Sequence, residues 1–267
     1  MRPIHYLRCL SGIVTREGLR FLNQRGRFFS ALVRPLVWLA IFATGFQFVL
    51  GVSIIPPYET YIPYSVYIVP GLLAMIAMFN GMLSSLSMVY DREMGSMRIL
   101  MVSPLPRWFL LTAKLLAGVI VSVAQAYGFL AIALVWDIRP PWYGYFTVLP
   151  ALILSGLMLG ALGLLLSSAI RQLENFASVM NFVIFPMFFA SSALYPLWHV
   201  KEASLLLYYV CQANPFTHAV ELIRFALYAR LEPISAMVLI AATAIFLTLA
   251  VYGYDPAKGL MQRRTAD

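Results

Sequence analysis

Acidic and basic side chains are concentrated in one short stretch of the sequence, which reads Asp91-Arg92-Glu93-Met94-Gly95-Ser96-Met97-Arg98. Two prolines, Pro104 and Pro106, follow this stretch, and Lys114 lies beyond them. Such side chains are suited to ion pairing rather than to catalysis, because a carboxylate like that of Glu93 can cap a helix or pair with an arginine. The pattern predicts a short charged surface helix, in which Gly95 permits close backbone approach and the prolines turn the chain back. A tight solvated turn fits the same composition.

Motifs for catalysis, nucleotide binding and metal binding are missing from the sequence. It contains no GxxxxGK[ST] phosphate-binding loop, no HExxH metal motif and no GxSxG esterase turn. The three histidines, His5, His199 and His218, are widely separated, and neither Cys9 nor Cys211 belongs to a CxxC pair. We therefore predict no catalytic residue, no metal site and no cofactor on this chain.

The composition indicates a membrane protein. Hydrophobic residues make up 61% of the 267 residues, charged residues make up 11%, and the mean hydropathy is +0.82. Because about a quarter of the residues of a soluble domain are charged, this chain has too few charges to cover a surface in water. Six uncharged runs are long enough to cross ~30 Å of hydrocarbon. They are Pro35 to Tyr58, Thr60 to Tyr90, Leu115 to Trp136, Pro140 to Ile170, Asn175 to Val200, and Pro233 to Tyr254.

The positions of lysine and arginine predict the orientation of these spans, because both residues collect at span ends on the cytoplasmic side. With six spans and both termini inside, most of the 19 basic residues lie inside, Arg34 among them. The outside keeps Arg139, Lys201, Arg224 and Arg230. No charged residue lies within a predicted span, which argues against a carrier driven by an ion gradient. Basic residues at span ends also fit lipid headgroups better than nucleic acid.

Two further segments are predicted to lie at the membrane without crossing it. Residues 1–30 place apolar residues at three- to four-residue steps opposite a row of arginines, a pattern typical of an amphipathic helix in the headgroup plane. Residues 197–232 contain too many polar residues and prolines to cross, so we expect them to dip in from the outer side and return.

The outer segment contains a candidate gate. Glu221 and Arg224 are three residues apart and can pair on one helical face. With Asn214 and Pro215 they form either an outer gate or a structural brace. The predicted fold is a single all-α integral membrane domain over residues 1–267, with six transmembrane helices, an N-terminal amphipathic interface helix and an outer re-entrant hairpin before the last span.

Seven residues of the charged stretch follow a spaced pattern: Asp91, Arg92, Glu93, Gly95, Ser96, Pro104 and Lys114. The pattern resembles the cytoplasmic coupling segment of ABC transporter permeases of the ABC-2 type. Three other stretches resemble the same family, in the family's order along the chain. They are Arg34 to Trp38 at the start of the first span, Phe185 to Pro196 at the end of the fifth span, and Asn214 to Arg224 before the last span.

The resemblance implies partners that the chain itself lacks. Permeases of this type form dimers, so we expect a permease homodimer with two copies of an ABC-type ATPase subunit, which bind ATP and Mg. The coupling segment, residues 91–107, would lie in a cleft of the ATPase. The chain is similar to small permeases that export nodulation factors, polysaccharides or drugs, and to those found beside quinoprotein alcohol dehydrogenase systems. The expected function is export across the bacterial inner membrane. An ion-coupled carrier or channel, or a membrane-embedded transferase, is the alternative.

By the same resemblance, the transport path would run between two permeases. Small and polar residues in the inner halves of the spans are candidates for its lining: Gln47, Asn80, Ser84 and Asn181. Gly156, Gly160 and Gly163 are predicted to allow close helix packing instead.

Overall fold

The computed structural model describes residues 3–23, 25–45, 56–58, 62–95, 105–170 and 172–254. These ranges contain helices and no strand, which confirms the predicted all-α fold for the described part of the chain. The helices are α1 (Pro3–Asn23), α2 (Arg25–Gly45), α3 (Tyr64–Glu93), α4 (Arg107–Ala133), α5 (Gly144–Ala169), α6 (Leu173–Phe189), α7 (Leu197–Ala203), α8 (Leu205–Ala213), α9 (Pro215–Ala226) and α10 (Pro233–Gly253). A 3-10 turn, Leu134–Trp136, extends α4.

Four helices are long and apolar enough to cross a membrane: α3, α4 with its 3-10 turn, α5 and α10. They correspond to the second, third, fourth and sixth predicted spans. The apolar helices in the other two predicted spans are shorter, Leu32–Phe42 within α2 and Leu173–Phe189. At 1.5 Å per residue, the 30 residues of α3 extend about 45 Å, which exceeds the ~30 Å of hydrocarbon in a bilayer.

The longest of these helices, α3, occupies the centre of the bundle. The most apolar part of α3 is 78% buried, and the helix packs against α2, α4, α5, α6 and α9. The most apolar part of the peripheral α10 is only 17% buried. Glycines let α3 and α5 approach closely. A Cβ on Gly81 would lie 2.8 Å from the Cα of Gly160, and a Cβ on Gly163 would lie 2.9 Å from the Gly81 carbonyl oxygen. The predicted packing role of Gly160 and Gly163 is therefore confirmed.

The charged stretch begins inside α3 and not in a separate helix. Asp91, Arg92 and Glu93 form the last turn of α3, so the predicted short helix is wrong for these residues. No helix-breaking residue separates them from the span that precedes them. Gly95 then adopts a φ of +73°, a left-handed conformation that glycine tolerates and that is common just after a helix. Ser96 and Pro104 lie outside the described residues.

The fifth predicted span, Asn175 to Val200, is too long, because α6 ends at Phe189. In the following turn, the Ser191 hydroxyl donates to the Phe188 carbonyl at 2.6 Å and accepts from the Ala193 amide at 3.2 Å. These local bonds compete with the helical pattern and end the helix. Val200 lies in α7 instead. Helices α7, α8 and α9 make up the outer segment, whose re-entry into the membrane stays a prediction.

The N-terminal segment forms two helices. The predicted interface helix over residues 1–30 ends earlier, at Asn23, and α2 begins at Arg25 and continues into the first predicted span. Helix α1 packs against the start of α4, where the Tyr6 and Phe109 rings meet edge to face at 5.0 Å. Arg8 on α1 is exposed.

Candidate functional site

One end of the bundle, here called the Asp91 end, gathers the last turn of α3, the first half of α4 and the ends of α5 and α10. The Lys114 ammonium of α4 lies 3.4 Å from an Asp91 carboxylate oxygen. The Lys114 side chain is 7% exposed and that of Asp91 is 27% exposed. Both residues were predicted to couple the chain to an ATPase, Asp91 in the coupling segment and Lys114 beyond it. The structure joins them to each other, so Lys114 fixes α4 to α3 from within the bundle.

Arg92 connects the same turn of α3 to two further helices. Its guanidinium donates to the Ile170 carbonyl, just beyond α5, at 3.4 Å and lies 4.8 Å from the centre of the Tyr254 ring, just beyond α10. The Tyr254 hydroxyl is hydrogen-bonded to the Ser167 hydroxyl of α5 at 2.6 Å. Sequence reasoning missed Ser167, Ile170 and Tyr254, because nothing in their local pattern indicates partners so far away along the chain.

The third acidic or basic residue of this turn, Glu93, has a different environment. Its side chain is exposed, and no ion-pair partner reaches it within the described part of the chain. The exposed Met94 and Gly95 follow it. The Asp91 end therefore consists of a braced base, formed by Asp91 and Arg92, and an exposed acidic tip at Glu93. Such a tip can accept hydrogen bonds from a cationic or amide surface of another protein.

We expect the Asp91 and Lys114 side chains to be energetically coupled. Asp91→Asn and Lys114→Met should each lower the free energy of unfolding, because each removes the opposite charge that the other group faces at 3.4 Å. The double variant should lose less than the sum, by a coupling energy of about 0.5–3 kcal/mol. Thermal unfolding of the four proteins in one detergent measures this energy. Strict additivity would show that the ion pair contributes nothing.

The opposite end of the bundle, here called the Arg224 end, contains a buried charge. The Arg224 guanidinium donates to a Glu221 carboxylate oxygen at 2.5 Å and to the Ser192 carbonyl at 2.8 Å, and it lies 4.2 Å from the centre of the Tyr67 ring. Arg224 is 4% exposed. Burial alone would lower the pKa of Arg224, but the Glu221 carboxylate together with the Tyr67 and Tyr58 hydroxyls outweighs burial and raises the pKa, so the guanidinium stays charged.

Two tyrosines tie the start of α3 to this cluster. The Tyr67 hydroxyl donates to the Ser192 carbonyl at 3.0 Å, and the Tyr64 hydroxyl donates to the Leu194 carbonyl at 2.7 Å. Both carbonyls lie in the turn that follows α6. Tyr64 and Tyr67 are each more than a hundred positions away in the sequence from the carbonyl that they bind, so no spacing rule could have identified these two hydrogen bonds. The predicted pairing of Glu221 with Arg224 is confirmed.

The other two residues of the candidate gate connect the same elements. The Asn214 amide donates to the Met187 and Ala190 carbonyls, both at 2.7 Å, and its oxygen accepts from the Phe216 amide at 3.0 Å as the N-cap of α9. Pro215 occupies the first turn of that helix, where its missing N–H is not needed. The geometry describes a brace between α6 and α9. A gating role for these residues stays a prediction.

The candidate path residues lie at separate places. Asn80 Nδ2 donates to Gln125 Oε1 at 2.5 Å, between α3 and α4. Ser84 lines a void of about 10 Å³ among α3, α4 and α5, which has room for about one water molecule. Asn181 lies on the exposed side of α6, and Gln47 lies outside the described residues. The described residues Asn80, Ser84 and Asn181 thus do not line one common cavity, and a path between two subunits stays a prediction.

A charged side chain lies deeper in the bundle than charge counting predicts. Arg34 is in the middle of α2, and its guanidinium lies 3.8 Å from the centre of the Phe79 ring, near the middle of α3. The sequence places Arg34 just before the first span, because an arginine is normally a span boundary. The structure differs because α2 already begins at Arg25 and carries Arg34 in its interior.

Comparisons with known proteins point to one family. The family described as "ABC-2 type transporter" matches residues 9–228. An Escherichia coli (strain K12) protein named as the multidrug ABC transporter permease YbhR is 33% identical over 168 residues, which are 60% of this chain and 43% of that protein. The transport permease ycf38 of Cyanophora paradoxa is 27% identical over 73% of this chain and 66% of its own length. The ycf38 of Porphyra purpurea is 24% identical over 81% and 72%.

The match to the chain spans less than half the length of the Escherichia coli relative. The family match covers most of the chain, including the candidate coupling residues Asp91, Arg92, Glu93 and Lys114 and the cluster at Arg224. With several apolar helices long enough to cross a bilayer, the chain is an integral membrane protein. It belongs to the ABC-2 type transporter family of membrane permeases.

Proposed function

We propose that the chain is the membrane-spanning permease subunit of an ATP-driven exporter, which moves a substrate outward from the cytoplasm or the inner leaflet. A separate ABC-type ATPase docks on the coupling segment, residues 91–107, and binds the ATP and Mg. The working unit contains two permeases, as a homodimer, and two ATPase subunits. The transport path runs between the permeases, and its lining includes Gln47, Asn80, Ser84 and Asn181.

The geometry of the Asp91 end carries this proposal. A partner that moves the exposed Glu93 also moves the end of α3. Because Asp91 is joined to Lys114 and Arg92 to Ile170 and Tyr254, that displacement reaches α4, α5 and α10 together. Membership of the ABC-2 family supports an ATPase as the partner. Transport then depends on a motor outside this chain.

The proposed topology follows from placing the Asp91 end on the cytoplasmic side, where the ATPase docks. The chain forms one transmembrane domain in the bacterial inner membrane, with six spans formed by α2, α3, α4, α5, α6 and α10. Both termini and the Asp91 end face the cytoplasm, and α7, α8 and α9 form the outer re-entrant segment. In this arrangement Asn214, Pro215, Glu221 and Arg224 form the base of an outer gate.

The substrate is taken from the inner side of the membrane in this proposal. Only residues 137–143 separate α4 with its 3-10 turn from α5, and that short connection has no room for a separate binding domain. Amphipathic drugs, lipid-linked glycans and small organic compounds fit such a route. The relative YbhR is named a multidrug permease, which favours an amphipathic substrate.

The first experiment tests for the motor. The tagged chain is purified from its native membrane in mild detergent, co-purifying proteins are identified, and ATP hydrolysis is assayed. We expect a stoichiometric partner with a phosphate-binding loop, and ATPase activity in the complex. A chain that purifies alone, without ATPase activity, would contradict the exporter and favour an ion-coupled carrier, a channel or a membrane-embedded transferase.

A further inference from the structure

The depth of Arg34 can be measured along the central helix. At 1.5 Å per residue, Phe79 lies about 18 Å from Asp91 and about 22 Å from Tyr64 along α3. The Arg34 guanidinium lies 3.8 Å from the centre of the Phe79 ring. The next residue, Asn80, bonds to Gln125, which lies about 16 Å along α4 from Lys114, the partner of Asp91. Arg34 is therefore level with the middle of α3, and α4 gives a similar distance from the Asp91 end.

A second helix gives the same depth. Trp38, one turn beyond Arg34 on α2, packs edge to face on Phe188, with 5.5 Å between the ring centres. Phe188 lies about 22 Å along α6 from Leu173, which is at the Asp91 end. Because one helical turn rises about 5.4 Å, Arg34 lies about 17 Å from that end. Helices α3 and α6 thus both place the charge near the middle of the ~30 Å hydrocarbon.

The described surroundings of Arg34 do not neutralise its charge. Its side chain is exposed on the surface of the subunit, beside Val33, Val37 and Ile41, which are 54%, 47% and 58% exposed. No carboxylate of the described residues forms an ion pair with it. An unpaired arginine in hydrocarbon is costly, and the distance to the headgroups, about 15 Å, exceeds the reach of its side chain. Arg34 must therefore face a polar or water-filled space.

We propose that Arg34 binds an anionic group of the transported molecule, a phosphate or carboxylate carried by an amphipathic substrate. This deepens the exporter function proposed above and rests on it. A guanidinium can lie over an aromatic ring and still present N–H donors to an oxyanion in a bidentate manner. The apolar face formed by Val33, Val37 and Ile41 lies beside the charge and suits the hydrocarbon part of the same molecule. A membrane phospholipid offers the same phosphate, so the test must separate the two sources.

The test measures binding of dodecyl phosphate to the purified protein, with any subunits that co-purify, in phosphatidylcholine nanodiscs. Arg34→Gln should raise the dissociation constant for dodecyl phosphate at least about tenfold, since the loss of one charged hydrogen-bonded contact accounts for that factor. Arg34→Lys should restore part of the affinity, because it keeps the charge but not the planar fork. Binding of the uncharged dodecyl maltoside should not change. Arg8→Gln, at an exposed arginine of α1, is the matched control and should bind like the parent protein.

Two results would overturn the proposal. The first is equal affinity of Arg34→Gln and the parent protein for dodecyl phosphate. If Arg34→Gln also loses bound phosphatidylglycerol in native mass spectrometry, this first result makes Arg34 a lipid anchor. The second is an equal loss of affinity for dodecyl maltoside, which would assign Arg34 to packing. Binding is measured without ATP, so a missing ATPase partner would contradict the exporter and leave this measurement interpretable.

Discussion

Replacing Arg224 by alanine is expected to lower the free energy of unfolding by about 3–5 kcal/mol, the usual effect of removing one partner of a buried ion pair. The substitution leaves the Glu221 carboxylate, 20% exposed, without its cation, and leaves the Ser192 carbonyl without one of its donors. It also removes the guanidinium that lies over the Tyr67 ring. Since native domains are stable by only about 5–15 kcal/mol, this loss is a large fraction of the total and should lower both the melting temperature and the yield of folded protein.

The measurement is thermal unfolding of the purified protein in detergent, together with the yield of monodisperse protein. The control is Arg139→Ala, because Arg139 pairs with Asp137 at 2.9 Å where the two side chains are 74% and 83% exposed. Such a surface pair contributes about 0–1 kcal/mol. Arg224→Lys should fall between these variants, because lysine keeps the charge but cannot make all three contacts at once. Equal melting temperatures for Arg224→Ala and Arg139→Ala would show that the cluster does not hold the Arg224 end together.

The four long apolar helices could be predicted because the bilayer sets a simple length requirement. Helices α3, α4, α5 and α10 coincide with uncharged runs, and each is long enough to span hydrocarbon. The end of α6 could not be predicted from the run length. It depends on Ser191, which bonds locally, and on Asn214, whose amide satisfies the Met187 and Ala190 carbonyls from a distant helix. Contacts of this kind leave no periodic pattern in the sequence.

The residues of the candidate site could be predicted from the sequence, but the contacts between them could not. The resemblance singles out Asp91, Arg92 and Lys114, but the ion pair between residues 23 positions apart follows from the antiparallel packing of α3 and α4. The positive-inside rule places Arg34 at the membrane surface, because it treats every arginine as the boundary of a transmembrane span. That arginine lies over the ring of Phe79 near the middle of α3 instead, and only the packing of α2 on α3 brings the two together.

Both ends of α3 are fixed to other helices. Tyr64 and Tyr67 join its first turn to the segment after α6, and Asp91 and Arg92 join its last turn to α4, α5 and α10. From Pro70 to Glu93 this largely buried helix contains no further proline, so the close packing around it opposes bending over that length. A displacement applied at the Asp91 end is therefore expected to be felt at the Arg224 end, which would connect a cytoplasmic motor with an outer gate.

Glu93→Ala tests where that displacement enters the chain. We expect this variant to fold and insert normally, since Glu93 is exposed and no ion-pair partner reaches it in the described residues. If Glu93 accepts a hydrogen bond from the ATPase, its loss removes about 1.5–3 kcal/mol, which weakens docking about tenfold or more. Transport driven by ATP should fall by a similar factor, while the melting temperature of the permease stays the same.

The matched control for this experiment is Glu174→Ala. Glu174 is an exposed acidic residue in the first turn of α6, at the same end of the bundle, so its removal changes the local charge equally without touching α3. Co-purification of the ATPase, ATP hydrolysis and transport are compared for the parent protein and both variants. Equal losses in the two variants would indicate a general effect of negative charge at this surface. Full transport by Glu93→Ala would remove the acidic tip of α3 from the coupling mechanism.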